Sequence, residues 1–457
     1  MQANILQEQS DEENWRMPRG KRPSAAEINN PLKWLCRLVE SPLNKWDYLY
    51  KSIMFGNDKN IKIGGFGLKV KQSLSIVIAA LLFCTFPLQT GFASEKDIEL
   101  ADEAKSAILI ERDTGAILYS KNKDEQLSPA SMTKIMTMLL IMEAIDKGEL
   151  KWDEKIRTSE YAASMGGSQI FLEPGEEMTT DQMLQGIAIG SGNDASVAMA
   201  ERIAGSEEAF VEQMNQKAKS LGLKNTNFQN ATGLPAENHY STAYDMAVMA
   251  KELLKHKAIT KYTGTYESYL REDTDKKFWL VNTNRLVKFY PGVDGLKTGF
   301  TNEAKYCLTA TAQKGNMRVI AVVFGAETPK TRNAQVTKML DFAFSQYTTQ
   351  PVYKKDVELK DVVVSKGTQK KVKAVTSEPI SLLTKKGEDT KKYKIKISAE
   401  KTVAAPVKKG DQLGTLKIEK DGKVIVKSPI VAQETIEKAT WWQLFKKSMG
   451  LFTHGGS

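Results

Sequence analysis

Strand-forming segments stand on both sides of a long helical stretch, and that order obliges residues far apart in the chain to share one sheet. On the N-terminal side, Ala107-Ile108-Leu109-Ile110 and Ala116-Ile117-Leu118-Tyr119 flank Asp113-Thr114-Gly115. Two apolar runs about an Asp/Gly turn predict a β-hairpin. A region rich in small residues with helical periodicity then extends to about His256. Strand texture returns beyond Trp279, at Gly295-Leu296-Lys297-Thr298-Gly299 and over residues 306–312 and 317–325, and an amphipathic helix over 333–347 closes the unit. The expectation is an α/β (α+β) unit spanning residues 95–348, with a mostly antiparallel sheet and an inserted cluster of helices.

The remaining segments differ in texture. Residues 351–431 alternate lysines with β-formers: Tyr393-Lys394-Ile395-Lys396-Ile397 has period two, and Leu416-Lys417-Ile418 faces Val424-Ile425-Val426 across Asp421-Gly422. That is a small all-β domain with a strong hairpin signal. In residues 433–457, Trp441, Leu444, Phe445, Met449 and Phe452 fall on one helical face, with Lys446 and Lys447 on the other. Aromatics opposite lysines predict a helix lying in a membrane interface. Residues 69–94 run from Lys69-Val70-Lys71 through an apolar stretch to Thr90-Gly91-Phe92-Ala93-Ser94. This is the order of a secretory signal cut near Ala93, with a core too short for a comfortable membrane span. Residues 1–68 form an unassigned extension, and a true start near Met54 or Val70 is expected.

The chain of 457 residues carries a formal net charge of +10, which suits an anionic envelope, a wall or nucleic acid. With no zinc-type Cys/His spacing, Walker loop or dinucleotide glycine pattern, nucleic acid is set aside, and neither a metal nor a cofactor is implied. Cys84 falls in the apolar run and Cys307 in a predicted buried strand, so with Cys36 they make no disulfide framework. His239, His256 and His454 are scattered, which argues against a histidine triad or a metal site.

Chemistry concentrates in three short motifs. In Ser128-Pro129-Ala130-Ser131-Met132-Thr133-Lys134, Ser128 reads as an N-cap and Pro129 as the first helical residue, with Ile135, Met138, Leu139 and Met142 as the buried stripe. Ser131 then has a free backbone N–H, and Lys134 lies one turn on, within reach of its hydroxyl. Ser131 is the expected nucleophile and Lys134 its base, provided that the amine is neutral; a helix N-terminus and a nearby Lys297 both favour that state. In Ser191-Gly192-Asn193, Ser191 relays a proton to the leaving amine and Asn193 holds a substrate amide. In Lys297-Thr298-Gly299, the first two residues offer donors to a carboxylate, and Gly299 suits an edge strand close to the substrate. The backbone N–H groups of Ser131 and Phe300 are the expected oxyanion donors.

These motifs, in this order, belong to penicillin-binding proteins and related β-lactamases. The sequence resembles the serine-type D-alanyl-D-alanine carboxypeptidases, the low-molecular-mass penicillin-binding proteins, over about residues 96–452. Asn230-Ala231-Thr232-Gly233-Leu234-Pro235 and Tyr240-Ser241-Thr242-Ala243-Tyr244-Asp245 add to the likeness. The resemblance implies a penicillin-binding/β-lactamase-like catalytic domain with Ser131 as acyl-ester nucleophile, Lys134 as proton acceptor, Ser191 as a third active-site residue and Lys297 as substrate-binding. It also implies that Arg332 holds the terminal carboxylate. The implied partners are a peptidoglycan stem peptide ending in D-Ala-D-Ala, β-lactams as covalent inhibitors, and the outer face of the cytoplasmic membrane.

Two departures stand out. Phe300 occupies a position where several relatives place histidine, and residues 300–306 look most like the sporulation-associated members; altered substrate preference is expected. Gly192 replaces the aspartate of the lactamase form of the second motif. The alternatives are a β-lactamase, with Glu173 as nominal deacylating acid, or a non-catalytic wall-binding protein.

Overall fold

The computed structural model describes residues 98–445, so the expected N-terminal extension, the expected secretory signal and residues 446–457 of the expected terminal helix lie outside the described residues. The central sheet has five strands: β1 (Ser106–Glu111), β2 (Ile117–Lys121), β3 (Val293–Thr301), β4 (Lys305–Lys314) and β5 (Met317–Ala326). Their spatial order is β2-β1-β5-β4-β3, with every neighbouring pair antiparallel. The first hairpin therefore joins strands that follow it by some two hundred residues, as the strand–helix–strand order requires.

Both faces of β1 and β5 are buried, so their alternating side chains feed two cores. Ile108, Ile110, Ile320, Val322 and Phe324 point into the helical cluster. Ala107, Leu109, Val319, Ala321 and Val323 pack with Val336, Met339, Leu340 and Ala343 of the closing helix, Pro329–Gln346. Each large aliphatic side chain so buried stabilises the fold by about 1.5–3 kcal/mol. The closing helix starts before the expected residue 333, because Thr328 caps it by accepting from the Thr331 N–H and Pro329 fills the first turn.

The helical cluster is built around α1 (Lys134–Asp146), which is buried on nearly every side rather than along a single stripe. α2 (Thr180–Ala188) opens with a capping box between Thr179 and Gln182, and α3 (Asn193–Ala204) ends at the left-handed Gly205. The loop between α2 and α3 carries Ser191 and Gly192.

Beyond the closing helix, the chain enters an all-β region with its own core of Val362, Val372, Leu416, Ile418 and Ile430. Tyr347–Tyr353 pairs with Ile380–Lys385, and a six-stranded sheet forms beside them. Its long hairpin, Gln412–Lys420 with Lys423–Ala432, turns at Asp421 and Gly422, both with positive φ as such a turn needs. The strand Tyr393–Ala399 lies at the sheet edge, where Ile395 and Ile397 remain partly exposed. Ser381 Oγ donates to Asp113 Oδ2 of the first hairpin at 3.0 Å. At the described end, Trp441, Trp442 and Phe445 are exposed and mutually stacked. Among the described residues, no helix is long and apolar enough to cross a membrane.

Candidate active site

Ser131 sits not in the first turn of an α-helix but in a short 3-10 turn, Ala130–Thr133, that precedes α1. Ser128 makes no cap; Pro129 takes that position without a side-chain hydrogen bond. Two distant glycines press on this turn. A β-carbon on Gly299 of β3 would lie 2.7 Å from the Pro129 carbonyl oxygen, and one on Gly233, at φ +84, would lie 1.9 Å from that of Ala130. Ala130 itself has φ 46, a conformation an L residue adopts only when its surroundings hold it there. The glycine of the third motif thus admits the Ser131 turn, a role additional to the expected close approach of its strand to the substrate.

The Lys134 amine is fully buried and lies 3.1 Å from Ser131 Oγ, 2.6 Å from Asn193 Oδ1 and 2.7 Å from the Thr232 carbonyl oxygen. Burial lowers its pKa well below the usual lysine range, Lys297 lowers it further, and Asp194 opposes both. As an ammonium the amine donates to all three oxygens; once neutral it has two N–H groups for the two closer acceptors, which leaves its lone pair for the Ser131 hydroxyl.

Asn193 has protein partners that its motif does not name. Its Oδ1 accepts from Lys134 and its Nδ2 donates to the Gly166 carbonyl at 2.6 Å, so its amide is tied to the base and to a neighbouring loop, with the second Nδ2 hydrogen and the second Oδ1 lone pair left over. Ser191, in the left-handed region at φ 63, lines the cleft beside Ser131.

Across the cleft, β3 forms the edge of the sheet. Lys297 is buried and donates to the Thr298 carbonyl at 3.0 Å; burial first and Arg332 second bring its pKa down to about 7. Thr298 Oγ1 donates to Thr283 Oγ1 at 2.7 Å. Arg332 projects from the first turn of the closing helix and donates through Nε and Nη2 to Asn333 Oδ1. Phe300 stands half exposed at the rim, stacked on Tyr306 with ring centroids 4.4 Å apart.

The cleft between these walls measures about 930 Å³ and brings together Ser131, Ser191, Thr298, Gly299, Phe300 and Arg332. Among the described residues lining it there is no aspartate or glutamate, whereas Arg285, Lys330 and Arg332 all contribute. Glu173, the nominal deacylating acid, is instead an exposed partner of Lys276 at 2.7 Å and is absent from the lining. Cys307 is buried in β4 and donates to the Ala304 carbonyl, as a small core residue does.

Thr232 is a contact of Lys134 that the three motifs do not point to. Its carbonyl is aimed by a tight loop in which Asn230 Oδ1 accepts from the Thr232 and Gly233 N–H groups, at 3.1 and 2.7 Å. Asn followed by Gly after a short interval is a readable turn signal, but it says nothing of what the turn faces.

A serine and a lysine in one buried turn, facing an edge strand that bears Lys-Thr-Gly, define a serine acyl-transfer enzyme of the penicillin-binding type. Residues 92–328 match the D-alanyl-D-alanine carboxypeptidase family, and residues 347–438 match the C-terminal domain of penicillin-binding protein 5. The chain is 65% identical over 387 residues to the D-alanyl-D-alanine carboxypeptidase DacF of Bacillus subtilis, covering 84% of this chain and 99% of that protein. It is 36% identical to DacC of Escherichia coli, covering 79% and 90%. Among solved structures it is similar to penicillin binding protein 5 from Haemophilus influenzae, with a TM-score of 0.60 and 30% identity over 74% of this chain and 98% of that one. The chain belongs to the D-alanyl-D-alanine carboxypeptidase family of serine hydrolases.

Proposed function

We propose that this protein removes the terminal D-alanine from the peptidoglycan stem pentapeptide through an acyl-enzyme on Ser131. The observation that carries the reading is the buried Lys134 amine, with two strong acceptors behind it and the Ser131 hydroxyl in front, opening on a cleft lined by Arg285, Lys330 and Arg332 and, among the described residues, by no carboxylate. Lys134 takes the hydroxyl proton as Ser131 Oγ attacks the penultimate D-alanine carbonyl. The N–H groups of Ser131 and Phe300 hold the oxyanion. Ser191 passes the proton to the leaving amine, D-alanine departs, and water then hydrolyses the ester. Lys297, Thr298 and Arg332 hold the substrate's terminal carboxylate, while Asn193 and Thr232 orient the base. A β-lactam presents a strained amide to the same serine and acylates it.

The test is D-alanine release from a pentapeptide by the full chain beside its Ser131→Ala form. Release by the wild type alone supports the reading; equal release by both, or by neither, overturns it.

The domain reading accompanies this proposal: catalytic residues 95–348, a β domain over 351–431 and a membrane-interface segment over 433–457. Export through residues 69–94 places the enzyme on the outer face of the cytoplasmic membrane, against the wall. The exposed Trp441, Trp442 and Phe445 support the interfacial segment. Truncation before Ala439 should move the protein from the membrane to the soluble fraction, and unchanged membrane recovery would refute the anchor. N-terminal sequencing of the pre-protein decides whether translation begins within residues 1–68. The pattern over 300–306 points to a sporulation-associated role, which a reporter silent throughout spore formation would contradict.

A further inference from the structure

Asp194 follows Asn193 in the first turn of α3 and is buried, yet its carboxylate does not enter the cleft. It turns back onto the loop before α2: the Ile170 N–H donates to both its oxygens at 3.1 and 3.0 Å, and the Leu172 N–H donates to Oδ2 at 3.0 Å. The Ala195 N–H adds a bond to Oδ1 at 2.9 Å. Phe171, between the two gripped amides, has φ 57.

The same loop is the anchor of the second motif. The Gly166 carbonyl accepts from Asn193 Nδ2 at 2.6 Å, the Ser168 carbonyl accepts from the Asn193 N–H at 2.7 Å, and Ser168 lines the cleft. From the opposite side, Arg271 donates to the Ile170 and Phe171 carbonyls at 3.0 and 3.1 Å and pairs with Glu176. The loop is thus gripped by its N–H groups from Asp194 and by its carbonyls from Arg271.

This arrangement also accounts for Gly192. A β-carbon there would lie 2.9 Å from Asp194 Oδ1 and 3.3 Å from Ile170 Cγ2. The middle position of the motif is glycine because the carboxylate of Asp194 already occupies the space beside it.

We propose that Asp194 is a positioning residue for acylation: it clamps the 166–172 loop that anchors Asn193, and so aims the Lys134 amine at Ser131, while providing buried negative charge toward that amine. The inference rests on the reading of Lys134 as base. Lys134 feels Lys297 from β3 and Asp194 from α3, and Arg332 acts on Lys297. Behind these stand the Arg271–Glu176 pair, Glu207, which accepts from the Ala231 N–H, and His239, which burial keeps neutral.

The experiment measures Ser131 acylation by a fluorescent penicillin against pH, using the full chain and its Asp194→Asn and Gly192→Ala forms, with melting curves for each. Asp194→Asn should acylate roughly ten- to a hundredfold more slowly at the plateau, since a small misalignment of a catalytic group has effects of that size. Its acid limb should move to lower pH, because removing a negative charge eases deprotonation of Lys134. Gly192→Ala displaces the carboxylate but keeps its charge, so it should slow acylation while leaving the acid limb in place. A rate within twofold of wild type in both variants overturns the clamp, and Gly192→Ala alone decides this if Asp194→Asn melts out. A slower Asp194→Asn with an unmoved acid limb overturns the electrostatic part. Failure of the wild type to label overturns the acylation reading beneath, a different outcome from either.

Discussion

Gly233 lies so close to Ala130 that a β-carbon on it would stand 1.9 Å from the Ala130 carbonyl oxygen. The contact shapes the turn that presents Ser131, and Gly233 holds it with φ +84. Gly233→Ala therefore meets both left-handed strain and overpacking, together roughly 2–5 kcal/mol. Urea denaturation should show that loss, and penicillin labelling of the folded fraction should fall because Ser131 is displaced.

Lys134→Arg retains a cation but removes the base, since guanidinium does not deprotonate in proteins. Acylation should fall by about 10²–10⁴, the usual weight of general-base help. In the wild type the amine must be neutral to accept the proton, so acylation is lost as pH falls through the lowered pKa of Lys134. Stopped-flow acylation over a pH series checks both statements, and a flat profile across neutral pH into acid would contradict the second.

His239 supports the same turn from below. The Gln229 N–H donates to its Nδ1, so Nε2 carries the proton and donates to Thr133 Oγ1 at 2.8 Å. Burial lowers its pKa from 6.5 to about 4. Between these values the unfolded chain binds the extra proton and the folded one does not, so this group makes stability rise with pH across that window. Its destabilising contribution is absent above the unfolded pKa and full below the folded one. Comparing melting temperatures of wild type and His239→Gln through this range should show a shallower acid decline in the variant.

Arg332 faces the cleft from the closing helix, where it can meet a substrate carboxylate beside Lys297 and Thr298. A charge-assisted hydrogen bond is worth about 1.5–3 kcal/mol, so Arg332→Gln should lower kcat/KM for a pentapeptide acid roughly ten- to a hundredfold. The corresponding peptide amide should lose far less. Equal losses on the two peptides would show that Arg332 does not read the carboxylate.

Local pattern carried much of this protein. The hairpin about Asp113-Thr114-Gly115 and the one about Asp421-Gly422 are legible because period-two burial and positive-φ turn residues are properties of a few neighbouring positions. The pairing of β1 with β5 follows from strands lying at both ends of the helical stretch. Ser131, Lys134, Ser191 and Lys297 were legible for another reason: each motif names side chains whose chemistry is useful only together.

What the tertiary structure decided is how those side chains behave. Ser128 and Pro129 read as an α-helix start, yet Gly233 and Gly299, both far along the chain, close on Ala130 and Pro129, and the turn there is 3-10 instead. Asn193 reads as a substrate contact, and folding adds Gly166 on one side of its amide and Lys134 on the other. The protonation of Lys134 depends on complete burial and on Lys297 and Asp194 arriving from other elements. The sequence by itself determined which groups and which strands the protein has; desolvation and the meeting of distant segments decided their charge and aim, because both depend on what surrounds a residue in space.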